Sequence, residues 1–276
     1  MSDLPDDRLG REPAPAVTRA VRLLDALARS TGPLTLTELA GALGLAKSST
    51  ANLCLALEAS SMIERIPQGY RLGRRTAELG GAFAAQFQQV REFYAVCDAS
   101  PVLRHELVQV AMLDGVDALY LARHEGSARL RLGAPLGSRL PAALSATGRA
   151  LLMGFDDDRV VAMLEGHVPF PRLTERSATT MTGLLTRLAL ARERGWALDA
   201  EESNPGIVGV AVPLEPWAPG DPQLALGVGM VAASADAERI DEVAAALLEA
   251  ARLLTNPFSA AAQARPPLGP TERSTD

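Results

Sequence analysis

The sequence predicts an α+β chain of two modules, a small helical head closed by a β-hairpin and a larger sheet domain carrying helices. Three observations predict it. At roughly 150 residues per domain, 276 residues suit one large domain or two ordinary ones. Apolar residues recur at helical spacing up to about residue 60, whereas strand-like runs dominate from about residue 107. The net charge of −6 is unevenly spread. Ala14 to Gly80 carries eight basic and five acidic residues, or +3, which leaves −9 on the rest. A basic module on an acidic body suits a nucleic-acid binder.

Residues 1–13 are polar and proline-bearing and read as a disordered arm. Val17, Val21, Leu24, Leu27 and Ala28 mark a helix from Ala16 to about Ser30, stopped by Thr31-Gly32-Pro33. Thr35 with Glu38 forms a capping box for a short helix whose apolar face is Leu36, Leu39, Ala40 and Leu43. After Gly44-Leu45 a second helix spans about Ala46–Ser60, with Leu53, Ala56 and Leu57 inward. Met62–Ile66 and Tyr70–Leu72 read as a hairpin around Pro67-Gln68-Gly69, so residues 14–73 form a winged helix-turn-helix. A single linker helix is expected over 74–98, with Leu79, Phe83 and Phe87 on one face.

The domain expected at 99–255 alternates otherwise. Strands are predicted at Leu107–Leu113, Val116–Arg123, Leu130–Gly133, Trp196–Asp199, Ile207–Pro213 and Leu224–Ala232, the first two turning at Asp114-Gly115. Helices are predicted at Ser145–Phe155, Asp157–Glu165, Thr180–Arg194 and Ala237–Leu254. This order indicates an α+β sheet with helices on one or two faces. The Ala/Pro/Thr-rich residues 256–276 read as a disordered tail.

The head has the chemistry of a duplex reader. The helix opening at Ala46 offers Lys47, Ser48, Ser49, Thr50 and Asn52 in its first two turns. Lysine, hydroxyls and a helix N-terminus suit phosphates, and Asn holds adenine through two hydrogen bonds. Arg65 and Arg71 on the hairpin and Arg74 after it are placed to grip phosphate. Lys47 is the only lysine in the chain.

Residues 14–85 resemble the DNA-binding domain of the IclR family of bacterial transcriptional regulators. Leu34-Thr35-Leu36-Thr37-Glu38-Leu39-Ala40, Gly44-Leu45-Ala46-Lys47-Ser48-Ser49, Ile63-Glu64-Arg65 and Tyr70-Arg71-Leu72-Gly73 carry the resemblance. It extends to about residue 255 through Arg123-His124-Glu125-Gly126, Ser145-Ala146-Thr147-Gly148-Arg149-Ala150-Leu151-Leu152 and Glu201-Glu202-Ser203-Asn204-Pro205-Gly206. The resemblance implies a winged helix-turn-helix, a linker helix and a GAF-like α/β effector domain. It also implies a homodimer or homotetramer on double-stranded DNA, responding to a small-molecule effector such as an organic acid or aromatic metabolite. Ala46 stands where the family usually has proline and Asn52 where it has arginine, which implies an altered operator preference.

By the same resemblance the effector cup comprises Ala143, Leu144, Ser145, Ala146, Thr147, Gly148, Asp199, Glu202, Gly209, Gly227 and Gly229. The three glycines replace a cysteine and a pair of serines common in relatives. Glycine within a strand marks close approach. Their lost side chains, beside Ala142, Ala143 and Leu144, predict a roomier, more apolar cup and a larger or partly aromatic effector.

Other chemistry is excluded or weak. Two cysteines, Cys54 and Cys97, and three scattered histidines rule out a disulfide framework and a zinc cage, and no metal or cofactor is expected. Both cysteines read as buried apolar residues. Gly41–Ser48 lacks the glycine that a P-loop needs before its lysine. Gly227-Val228-Gly229 matches a dinucleotide pattern only inside a strand, and there is no G-x-S-x-G elbow. An acidic start without an apolar core, and no uncharged run near ~18 residues, lead to the expectation of a cytoplasmic, non-membrane protein. Two rival readings remain. One is a metabolite-binding protein or enzyme with a degenerate head, and the other is a partner-binding module that never touches DNA.

Overall fold

A computed structural model describes residues 13–126, 134–218 and 220–256. The expected strand at 130–133, and the arm and tail beyond Pro13 and Asn256, lie outside the described residues. The chain divides into two compact units, meeting at Gln86 and Phe87.

The first unit contains α1 (Pro15–Arg29), α2 (Leu36–Leu43), α3 (Lys47–Ala59), β1 (Ile63–Ile66), β2 (Gly69–Leu72) and α4 (Arg74–Ala84). Thr35 and Glu38 close the expected capping box on α2, and Gly44, at φ 65°, ends that helix. Leu23, Leu27, Leu39, Cys54, Ile63 and Tyr70 form the core. The antiparallel hairpin is annealed to the strand before α2, where Leu34 and Tyr70 exchange both backbone hydrogen bonds at 2.9 and 2.8 Å. That closeness requires Gly69, since a Cβ there would lie 2.4 Å from the Leu34 carbonyl oxygen. On α3 the helical period turns Thr50 and Cys54 inward, while Ala56, expected inward, is exposed.

The second unit begins with α5 (Gln88–Ala99), so the expected single linker helix is two helices interrupted at residues 85–87. Its two halves answer to different surroundings. Within its unit α5 buries Gln89, Val90, Phe93 and Cys97, and Gln89 donates to the Glu215 carbonyl at 2.7 Å. By contrast α4 buries nothing and contains the poor helix formers Gly80 and Gly81.

Then follow β3 (Leu107–Asp114), β4 (Asp117–Glu125), β5 (Arg139–Pro141), α6 (Ala146–Leu152), α7 (Asp157–Leu164), α8 (Met181–Arg194), β6 (Ala197–Ala200), β7 (Ile207–Leu214), β8 (Leu224–Val231) and α9 (Ala237–Leu253). The strands form one antiparallel sheet in the order β5-β4-β3-β8-β7-β6. Strand β5 was not legible in the sequence. At three residues it is too short for any alternation, and it exists because it pairs with β4, its Pro141 tolerated at the sheet edge.

Helices cover both faces. Ala111, Ala118, Tyr120, Ala211 and Ala225 pack with Ala146, Ala150 and Leu151 of α6. On the opposite face Val108, Val110, Val210, Val212 and Val228 are buried, and α5 and α9 lie against β4, β7 and β8. A bulge in the β3–β4 pairing sets Gln109 opposite Arg123 but Ala111 opposite Tyr120. The skipped residue brings Gln109 and Tyr120 to the α6 face together.

Arg149 on α6 is 1% exposed and holds this layer together. Its guanidinium donates to the Ala143 and Leu198 carbonyls at 3.0 and 2.6 Å and to both Glu202 oxygens at 2.8 Å. Arg187 of α8 adds a bond to Glu202 at 2.9 Å, and the Ala178 amide another at 3.1 Å. Burial alone would push the Glu202 carboxyl up, but the Arg149 and Arg187 guanidiniums outweigh it and hold the group below its ordinary value.

Removing one member strands buried charge. Arg149→Met is therefore expected to cost about 3–5 kcal/mol in chemical denaturation. Because the folded carboxyl titrates low, Glu202 lends stability that is complete above the ordinary glutamate range and is lost as pH falls through its folded value. Glu202→Gln is expected to lower stability at neutral pH and to flatten the acid limb of the stability–pH curve; an unchanged acid limb would remove Glu202 from this role.

Candidate nucleic-acid and effector sites

The head presents its candidates unevenly. Lys47, Ser48, Ser49 and Asn52 are exposed on the first two turns of α3. The N-cap, Ala46, has no side chain able to satisfy the first amides, so that turn keeps free donors for an anion. Thr50 does not belong with them. It is 0% exposed and its hydroxyl donates to the Ala46 carbonyl at 3.1 Å, because its place on the helix turns it toward the core.

Behind α3, Arg65 on β1 reaches over the Tyr70 ring, 5.9 Å from its centroid. Arg71 on β2 is paired with Glu64 at 2.8 Å, and Arg75 with Glu78 at 2.7 Å. Arg74 and Lys47 are exposed. The expected cations are thus all at the surface, but Arg71 is partly neutralised by its own hairpin.

In the sheet domain the β7–β8 strands, α6 and the turn after β6 surround a cleft of about 50 Å³. Ser145, Ala146, Thr147, Asp199, Gly209, Gly227 and Gly229 line it, as expected. Ala143, Leu144, Gly148 and Glu202 do not. Ala143 joins the apolar cluster with Val160, Leu164 and Leu188, and Leu144 is wholly buried. Gly148 lets the Ala142 backbone cross α6, since a Cβ there would lie 2.2 Å from the Ala142 Cα. All the oxygens of Glu202 are engaged by arginines and an amide.

The lining also includes Gln109, Tyr120, Ser203 and Asn204, which the sequence reading missed. A lone polar residue in the apolar run Leu107-Val108-Gln109-Val110 was the available signal for Gln109. No signal placed Tyr120, whose facing depends on the bulge. The Tyr120 hydroxyl and Thr147 Oγ1 are 2.8 Å apart, and burial pushes the phenol up to about 12. Ser203 donates its hydroxyl to Asp199, whose carboxylate also accepts the Glu202 amide at 2.6 Å. Burial nevertheless raises the Asp199 carboxyl above its usual range. Among the described lining residues no arginine, lysine or histidine appears.

Gly209 and Gly227 do not widen the cup, whereas the position of Gly229 stays open. A Cβ on Gly227 would lie 2.6 Å from the Thr147 methyl and 3.2 Å from the Ala211 Cβ, and one on Gly209 would lie 3.2 Å from the Ala146 Cβ. At both positions side chains of α6, Thr147 and Ala146, occupy that space. The expected extra room is therefore not gained at Gly209 and Gly227, where close packing takes it up.

Comparison with known proteins completes the picture. Residues 96–256 match the family described as bacterial transcriptional regulator IclR C-terminal, and residues 16–67 match the IclR helix-turn-helix domain. The HTH-type transcriptional regulator BhcR of Paracoccus denitrificans is 30% identical over 248 residues, covering 87% of this chain and 86% of BhcR. XynR of Escherichia coli is 27% identical over 201 residues, covering 72% and 79%. A transcriptional regulator from Rhodococcus sp. RHA1 superposes with a TM-score of 0.77 at 25% identity, over 87% of this chain and 96% of its own. An IclR homologue from Microbacterium hydrocarbonoxydans, solved in complex with 4-hydroxybenzoate, gives 0.72 at 22%, over 87% and 97%. With its head and its sheet domain each matched in the expected order, the chain belongs to the IclR family of bacterial transcriptional regulators.

Proposed function

We propose that this regulator binds a pseudo-palindromic operator as a dimer or tetramer, and that a compact metabolite in the α6 cleft changes that binding. The observation that carries the first part is the leading end of α3, where Lys47, Ser48, Ser49 and Asn52 stand exposed around uncapped amides. Two such heads on a two-fold assembly would read half-sites roughly 34 Å apart, or a multiple of that. Leu79 and Phe83, 47% and 40% exposed on α4, support pairing of the heads through this helix. The work is done at the chromosome, in the cytoplasm, and no helix among the described residues is long and apolar enough to cross a membrane.

The cleft supports an effector of few heavy atoms, held by the hydroxyls of Ser145, Thr147 and Ser203 and the amides of Gln109 and Asn204. Of the expected effectors, a short hydroxy or keto acid suits this volume better than an aromatic one. The Microbacterium homologue was solved with 4-hydroxybenzoate, a larger molecule. The effector acts by favouring one of two head arrangements, which requires unequal affinity for them.

In gel shifts on the gene's own upstream region, Lys47→Glu is expected to weaken binding at least ~10-fold at low salt, since it reverses a charge beside phosphate. Asn52→Ala should relax preference at one operator position by about 1–3 kcal/mol. Thr50→Val, buried and isosteric, should leave DNA binding as it was. A uniform loss across all sequences with Asn52→Ala would deny it a base contact.

In calorimetric screening, short hydroxy or keto acids are expected to bind and benzoates to fail. Gly227→Ala, which drives a methyl into Thr147, is expected to cost about 1–3 kcal/mol of stability and to abolish the ligand response. Gly229→Ala, whose Cβ would meet only the Ile207 side chain at 3.9 Å, should fold normally. Tight benzoate binding would sink the compact-effector reading.

A further inference from the structure

The hairpin of the head carries a carboxylate that DNA binding does not call for. In the β1–β2 register Glu64 stands opposite Arg71. Arg71 Nε donates to Glu64 Oε2 at 2.9 Å, and Nη2 lies 2.8 Å from the same oxygen. Both side chains are more than half exposed, at 56% and 54%. Two donors of the guanidinium, the fork that would suit a phosphate, are thus turned onto a carboxylate of the same chain.

An exposed pair of this kind is weakly held, because water screens it and two long side chains must be ordered. A duplex phosphate offers Arg71 the same charge-assisted geometry and can displace Glu64. The displaced carboxylate then remains beside the polyanion. Each step opposes binding, the first by occupying a cation and the second by repulsion. The other hairpin arginine, Arg65, rests on the Tyr70 ring rather than against an acid, so the competition bears on Arg71.

We propose that Glu64 is a built-in competitor for DNA phosphate. It lowers the sequence-independent affinity of the head by holding Arg71, so that contacts from α3 must supply the remainder at an operator. The proposal rests on the DNA-binding reading above and adds to it a residue that acts against binding.

The test uses the full chain and a random-sequence duplex, so no operator need be known. Affinity is measured by fluorescence anisotropy across a salt series for the wild type, Glu64→Gln, Arg71→Gln and the double variant. Glu64→Gln is expected to bind several-fold more tightly at low salt, with a log–log salt slope steeper by about 0.9 per engaged head. Its gain should shrink markedly when Arg71 is already Gln, because the competitor acts through that cation. Melting temperature should be unchanged by Glu64→Gln. Wild-type affinity and slope in Glu64→Gln overturn the proposal, as does weaker binding, which would make Glu64 a contact. An equal gain without Arg71 also overturns it, leaving only bulk charge. A fall in melting temperature without a change in affinity assigns the pair to hairpin stability and overturns it too. If the wild type binds no duplex even at low salt, the DNA-binding reading itself fails, an outcome separate from the others.

Discussion

A single buried guanidinium organises the effector domain. Arg149 ties the segment before α6, strand β6 and the turn that follows it into one block, through two carbonyls and the Glu202 carboxylate. A charge so deeply buried is tolerable only when every donor direction finds an acceptor, which fixes the turn at residues 199–203 relative to the helix. Asp199 and Ser203 are thereby placed at the cleft without themselves touching Arg149. The pair is best understood as a positional constraint, since an apolar pair of equal volume need not be less stable.

From that constraint the character of the cleft follows. With α6 packed on the β7–β8 strands, a Cβ at Gly227 would clash with Thr147 and one at Gly209 would crowd Ala146. The same closeness removes the volume that the glycines would otherwise open. Hydroxyls and amides remain around a small space whose one carboxyl, Asp199, is held above its ordinary range by burial.

The head follows a different logic. Its core is small, and the hairpin is held both by Ile63 and Tyr70, which sit in that core, and by two backbone hydrogen bonds to Leu34. The reading helix can then devote its first two turns to exposed polar groups, because Cys54, together with Thr50, secures it from beneath. Electrostatics is balanced rather than maximised, with Glu64 set against Arg71 on the hairpin and Glu78 against Arg75 on α4.

Much of this was legible in the residues alone. Element type and order were readable because helical and strand periods are local properties, and the capping box at Thr35 and Glu38 is written within four positions. The exposed face of α3, and seven of the cleft positions at Ser145–Thr147, Asp199, Gly209, Gly227 and Gly229, followed from motif and resemblance. Burial direction did not. Thr50 turned inward by helical phase, Glu202 was claimed by arginines 53 and 15 residues away, and Tyr120 reached the cleft only through a bulge in the neighbouring pairing. The room at Gly209 and Gly227 was not legible either, since a missing side chain opens space only if no neighbour occupies it, and there α6 does. Sequence determines what a segment prefers by itself; which neighbour occupies the room it leaves is settled by the packing of segments far apart in the chain.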